Sequence, residues 1–240
     1  MHLKKMWVWL SMALMLLCLV PGMAGAEELR GYEKGNGWQY AYFGQYPYEK
    51  DGMTAPVLWR ILDVSDGQAL LMTEYIIDTV LYHPERDVLD GPGLDYADTH
   101  IRSVLCTDVL NAIFTEEEQA VLVEMPGRGL LSLPSRRGEL FSRRYGFVEE
   151  DFTELARRSA TGTPYAFARG LRRINGNSWY WTTDWRTAGR RWIVGDNGHI
   201  SVSGLDREGG IRPICYVRTG MLTITGGDGT LENPYQLALK

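Results

Sequence analysis

Histidine and cysteine are scarce in this chain, with four and three in 240 residues. Beyond the N-terminal stretch the histidines are His83, His100 and His199, far apart in sequence, and two lone cysteines without clustered histidines do not form a zinc site. There is no metalloprotease helix, no nucleophile elbow and no glycine-rich phosphate loop. These absences leave no catalytic residues, no metal site and no cofactor to predict. A basic cluster is missing too. Binding to nucleic acid needs lysine and arginine to displace counterions from phosphates. Here acidic residues are interleaved between most of the pairs Arg136-Arg137, Arg143-Arg144, Arg157-Arg158 and Arg172-Arg173, which read as solvated helix faces. No Pro/Ser-rich linker or low-complexity segment divides the chain.

One long apolar run is present, and it lies at the start. Lys4 and Lys5 precede Met6–Val20, Pro21-Gly22 breaks the run, and Ala24-Gly25-Ala26 follows as a small-residue cleavage pattern. A run of about 15 residues is shorter than the roughly 20 that span a bilayer. Residues 1–26 are therefore expected to be a cleaved signal peptide, with a secreted or cell-surface domain over 27–240 and no membrane association afterwards. Cleavage removes two of the 25 basic residues and none of the 30 acidic ones, which leaves 23 against 30 and a net charge of −7.

Only Cys106 and Cys215 remain after cleavage. The even count in an oxidising setting predicts a bridge. It would close a loop on the order of 100 residues and stabilise by roughly 4–5 kcal/mol in the chain-entropy model. The alternative is a pair of buried thiols.

The fold class reads as α+β, with strands first, helices in the middle and strands last. Alternation marks strands at 38–43, 57–64 and 69–73, and Ser65-Asp66-Gly67 signals a hairpin between the last two. Ile101, Val104, Leu105, Val109 and Ile113 repeat at helical spacing. Thr115 with Glu118 forms a capping box. Ser132 is expected to cap a third helix that holds Pro134 and ends before Gly146. Phe152, Leu155 and Ala156 suggest a fourth, and Pro164 opens a short turn. Strands return at 178–183, 191–194, 199–203, 210–218 and 221–225, with 221–240 as a C-terminal strand tail. The N- and C-terminal strands are expected to share antiparallel sheet structure.

Several segments lie in a particular order: Phe43-Gly-Gln-Tyr-Pro47, Pro56-Val-Leu-Trp-Arg-Ile-Leu-Asp63, Ala69-Leu-Leu-Met-Thr-Glu-Tyr75, Ile101-Arg102 with Leu105 and Asn111, and Phe114 with Glu116–Glu118. Pro164-Tyr-Ala-Phe-Ala-Arg-Gly170, Trp179-Tyr-Trp-Thr182 and Gly210-Ile-Arg-Pro213 follow. Together, over residues 43–218, they resemble a family of bacterial secreted domains of unknown function, the one numbered six-two-seven-three. Family members carry Trp-Leu-Arg-Ser-Pro where this chain has Trp181-Thr-Thr-Asp-Trp185. The ending Gly226–Tyr235 resembles a tail of bacterial surface proteins. The late tryptophan strand and Gly-x-Arg-Pro also resemble the formylglycine-generating, C-type-lectin-like fold. That oxidase chemistry uses two late cysteines, and only Cys215 lies late.

Trp179, Tyr180, Trp181, Trp185 and Trp192 form the densest aromatic region. Alternation assigns Trp179 and Trp181 to the core and Tyr180 to the opposite face. A hairpin of strands 178–183 and 191–194 would carry Trp185 on its tip, between Asp184 and Arg186. With Tyr180, Trp192 and His199 nearby, this is the expected ligand-facing surface, because aromatics among charges have the composition of a binding hot spot. Arg60 and Arg212, set among apolar neighbours, are expected to be structural forks for carboxylates. Asp196-Asn197-Gly198 and Gly227-Asp228-Gly229 read as turns, too poor in carboxylates for calcium. The functional expectation is a non-catalytic recognition or structural module with a glycan or protein ligand. The alternative is a secreted hydrolase with a carboxylate pair.

Overall fold

The computed structural model describes residues 28–84, 94–147, 152–187 and 189–240, so the segment 1–26, expected to be a signal peptide, lies outside the described residues. Two sheets and a helical middle make an α+β fold. The first sheet holds seven strands in the order β11-β12-β1-β2-β3-β10-β5, and the second holds five in the order β4-β9-β6-β7-β8. Among the described residues no helix is long and apolar enough to cross a membrane.

The N-terminal strands β1 (Gln39–Pro47), β2 (Thr54–Ser65) and β3 (Gln68–Thr73) form an antiparallel meander. Val57 to Leu62 are buried without interruption, because both faces of β2 are covered. Trp59 and Ile61 point into one apolar cluster, with Ala69 and Leu71 beside them. Leu62, Leu70 and Met72 point into a second. The β2–β3 turn has Asp66 at φ 52° and Gly67 at φ 72°, the two positive values that a two-residue type I′ hairpin requires. β1 runs further than its alternation suggests. A bulge after Tyr42 carries it past Gly44 to Pro47.

The helical middle begins where the sequence places it. Thr99 caps α1 (His100–Val104) by accepting from the Arg102 amide at 3.3 Å. One wide π-type turn, Leu105–Val109, leads into α2 (Leu110–Ile113), and Ile101, Leu105, Val109, Leu110 and Ile113 all enter the first cluster. The capping box ahead of α3 (Glu116–Gln119) is complete, with both reciprocal bonds present. Residues 132–146 depart from expectation. Ser132 is buried and its backbone bridges to Ile214, so it caps nothing. Ser135 does the capping instead, for a single π-type turn, Arg136–Leu140. Gly146 ends a separate 3-10 turn, Arg143–Tyr145. Then come α4 (Phe152–Arg158) and α5 (Pro164–Ala168), the latter capped by Thr163. Of the paired arginines read as solvated, Arg158 is buried, with Nε donating to the Gly198 carbonyl at 3.1 Å.

The second sheet contains β4 (Asp78–Leu81), β6 (Tyr180–Thr187), β7 (Arg190–Val194), β8 (Ile200–Gly204) and β9 (Glu208–Ile211). The single strand expected over 210–218 is two. β9 lies in this sheet, whereas β10 (Ile214–Arg218) pairs with β3 and with the short β5 (Leu122–Val123) in the other. Pro213, lacking an amide hydrogen, stands at the break. The C-terminal tail is part of the first sheet: β11 (Leu222–Gly226) and β12 (Tyr235–Leu239) form a hairpin. β12 then pairs with β1, as expected of the chain ends, although the pairing is parallel. Gln39 Nε2 donates to the buried Tyr235 hydroxyl at 3.0 Å and ties the tail down.

The expected Cys106–Cys215 bridge is absent, and both residues are free thiols. Cys106 lies in the π-type turn, its sulfur directed at the carbonyls of Arg128 and Leu131 at 3.6 and 3.5 Å. Cys215 is fully buried on β10 opposite Leu71. Burial pushes both thiols above their ordinary pKa, which keeps them unreactive.

Candidate functional site

The aromatic surface expected around Trp185 is divided between two faces of the second sheet. β6 extends through Thr187, so Trp185 lies within the strand, paired with Arg191, rather than on a hairpin tip. It is 55% exposed. Arg191, on the same face, is buried, donates to the Leu94 carbonyl at 2.5 Å and lies over the Tyr82 ring. Asp184, Arg186 and Trp192 occupy the opposite face. Asp184 accepts a hydrogen bond from the Arg136 amide, and the Arg136 and Arg186 guanidiniums lie 4.5 and 5.4 Å from the Trp192 ring. His199 is exposed beyond β7 and borders a shallow hollow with Trp179 and Ile193.

Tyr180, expected on the exposed side, is completely buried, and its hydroxyl donates to the Arg158 carbonyl at 2.8 Å. Both faces of β6 are covered at this point. Trp181 enters the first apolar cluster and Tyr180 the second. Alternation correctly separated the two side chains, but it carries no information on whether the second face meets water.

The two arginines expected to be structural meet at one carboxylate. Arg60 holds Glu74 in a two-point fork, Nε to Oε2 at 2.8 Å and Nη2 to Oε1 at 2.7 Å. Arg212 is fully buried, donates from Nε to the Thr73 carbonyl at 2.7 Å and reaches Glu74 at 3.7 Å. Burial acts to lower the pKa of both guanidiniums. For Arg60 the charge and hydrogen bonds of Glu74 outweigh it, and the value is raised. Arg212, farther from that carboxylate, is held below the ordinary arginine value. This clasp links β2, the end of β3 and the β9–β10 connection, so it joins the two sheets.

Beyond the clasp the same face of the first sheet opens into a groove of about 560 Å³. Tyr40 faces Arg60 across the β1–β2 pair, and two residues on, Tyr42 faces Leu58. On the other side Tyr42 neighbours Gln236 of β12. Tyr42, Leu58 and Gln236 thus form a floor across three strands, and Tyr48, Tyr75 and Leu231 stand around it. The bulge that bends β1 here depends on Gly44. Its φ is 68°, and a Cβ would lie 2.7 Å from the Ile113 carbonyl oxygen. Within the wall, Tyr46 is buried and donates to Asp78 at 2.9 Å, while Asp78 also accepts from the Thr79 amide and Arg169.

The hydroxyls of Tyr46, in the groove wall, and of the buried Tyr96, Tyr180 and Tyr235 are hydrogen-bonded, whereas that of the buried Tyr82 has no partner among the described residues. Tyr42, Tyr48 and Tyr75 are half-buried, and their hydroxyls make no hydrogen bond among the described residues. The rings of Tyr48 and Tyr75 stand 6.5 Å apart at 68°. No protein-family model, no curated protein and no solved structure matches this chain. The geometry is therefore the evidence about function.

None of these groove residues was selected as a ligand contact from sequence. The alternation of Tyr40 and Tyr42 with Ala41 and Phe43 was visible, and Phe43–Pro47 was noted as a motif. What was missing was the bulge, which carries the strand onward, and the return of β12 to its side. Among the described residues no group of three or more histidine, cysteine or acidic side chains is placed to hold a metal ion.

Proposed function

We propose that this protein is a non-catalytic recognition module, exported by its N-terminal segment and working outside the cytoplasm, with its ligand held in the tyrosine groove. The observation that carries this reading is the set of half-buried tyrosines, Tyr42, Tyr48 and Tyr75, whose hydroxyls are unbonded among the described residues, gathered in a concavity of about 560 Å³. Binding sites of this kind are concave, mostly apolar and set with a few polar groups, at roughly 300–1,000 Å³. Leu231 at the rim is 43% exposed, and Met53, in the turn that follows Tyr48, is 62% exposed. Among the described residues these are two of four large apolar side chains left open to solvent, which supports a contact surface near this groove.

The segments that carry the likeness to the six-two-seven-three domain also contribute here. Tyr46, Pro47, Pro56, Leu58 and Tyr75 belong to its first three motifs and line the groove, so kinship with that domain forms part of the proposal. Hydrolysis by a carboxylate pair finds less support. Among the described residues no acidic side chain lines the groove, and the neighbouring Glu74 and Asp78 are engaged, Glu74 by Arg60 and Asp78 by Tyr46 and Arg169.

Printed glycan and peptide arrays test the reading with the exported protein. Wild type is expected to capture a ligand from one of them, and Tyr48→Ala combined with Tyr75→Ala is expected to lose it without a large change in Tm. Capture that survives the double substitution, or no capture by wild type on either array, refutes the groove as the site.

A further inference from the structure

We infer that the groove takes an uncharged oligosaccharide of about two or three pyranose rings, an inference that rests on the recognition reading above and narrows it. The first argument is electrostatic. Among the described residues no lysine, arginine, histidine, aspartate or glutamate side chain lines the groove, so a charged ligand would lose hydration there without gaining a counter-charge. Of the charges beside it, Arg60–Glu74 and Arg169–Asp78 are paired with one another, and Glu49 and Glu232, next to Tyr48 and Leu231, are exposed to solvent.

The second argument concerns the backbone. The floor at Tyr42, Leu58 and Gln236 is the face of three paired strands, so there a ligand meets side chains rather than a strand edge.

The third argument is the kind of side chain. A tyrosine hydroxyl both donates and accepts, and a glutamine amide does the same through its two ends. Tyr42, Tyr48, Tyr75 and Gln236 bring both capacities to the groove. A proline-rich segment in the polyproline conformation presents carbonyls, which only accept, so the accepting half would stay unused. A pyranose presents hydroxyls that donate and accept around its rim, and a face of C–H groups that lies against an aromatic ring. Both features match a half-buried tyrosine whose ring offers a face and whose hydroxyl makes no bond within the protein.

The test is titration calorimetry, with saturation-transfer NMR, on the exported protein. The probes are cellotriose, maltotriose, mannotriose and tri-N-acetylchitotriose, alongside trigalacturonate and a proline-rich decapeptide. At least one neutral trisaccharide is expected to bind and trigalacturonate is not. Tyr48→Ala and Tyr75→Ala should each weaken binding about tenfold or more, and Tyr75→Phe, which removes only the hydroxyl, by about threefold to tenfold. Should an alanine variant fail to fold, Gln236→Ala and Leu231→Asp at the exposed rim supply the same readout. Failure of all four neutral sugars at millimolar concentration overturns the inference, as does sugar binding indifferent to every groove substitution. If the peptide alone binds and Tyr75→Ala abolishes it, the sugar inference falls and the recognition reading stands. If no probe binds, the sugar inference falls, and the recognition reading stands or falls on the arrays.

Discussion

One face of the first sheet carries two sites of opposite character, only a few residues apart. At Arg60 and Glu74 every strong charge has a partner, and the site is closed by Trp38, whose ring lies 4.1 Å from the Arg60 guanidinium. At Tyr42 and Leu58, two residues along the same strands, the face is open and its tyrosine hydroxyls are unbonded. The difference follows from what covers each end. The second apolar cluster and the Arg212 connection seal the clasp, where an unpaired charge would be costly. Among the described residues nothing comparable lies over the groove, where a hydroxyl can remain hydrated at little cost. A charge-paired site ties the sheets together, and an uncharged one beside it stays open.

Substitutions should separate the two ends by their effect on stability. Glu74→Ala leaves two buried guanidiniums without their carboxylate and should destabilise by about 3–5 kcal/mol, roughly 10 °C in Tm, measured by thermal melting. A loss below about 1 kcal/mol would break the contrast. Gly44→Ala places a methyl group against the Ile113 carbonyl at a positive φ and should lose about 2 kcal/mol in a urea titration. Thr115→Ala removes one half of the capping box, far from both sites, and should cost about 1 kcal/mol. This sets a scale for an ordinary local defect. Tyr48→Ala and Tyr75→Ala should fall at or below that scale, and Trp185→Ala, half exposed on the second sheet, within about 0.5 kcal/mol. The smallest effect expected is that of reductant. With Cys106 and Cys215 unbonded, a reducing agent should leave Tm unchanged, and both thiols should be alkylated once the chain is unfolded without reductant.

Where sequence reading failed, it failed on relations between segments. The Trp185 surface was assembled from residues adjacent in the chain, and strand alternation sent Trp185 to one side and Asp184, Arg186 and Trp192 to the other. The groove draws on three stretches, 42–58, 75–77 and 231–236, with Thr163 from a fourth. No short window contains it. The cysteine bridge was argued from an even count, whereas a bond requires two sulfurs to meet, and Cys106 is turned toward the loop at 128–131.

The sequence by itself determined the local events of this fold. The Asp66-Gly67 hairpin, the Thr115 capping box, the Ile101–Ile113 apolar stripe and the α+β order all follow from backbone sterics, orphan amides and hydrophobic period, which act over a few residues. Tertiary structure alone decided which side chains meet water. Tyr180 and Tyr42 are both tyrosines in strands, yet one is sealed under Arg158 and the other opens into a groove. Exposure is set by the elements that pack from distant parts of the chain, and no residue's own chemistry specifies its cover.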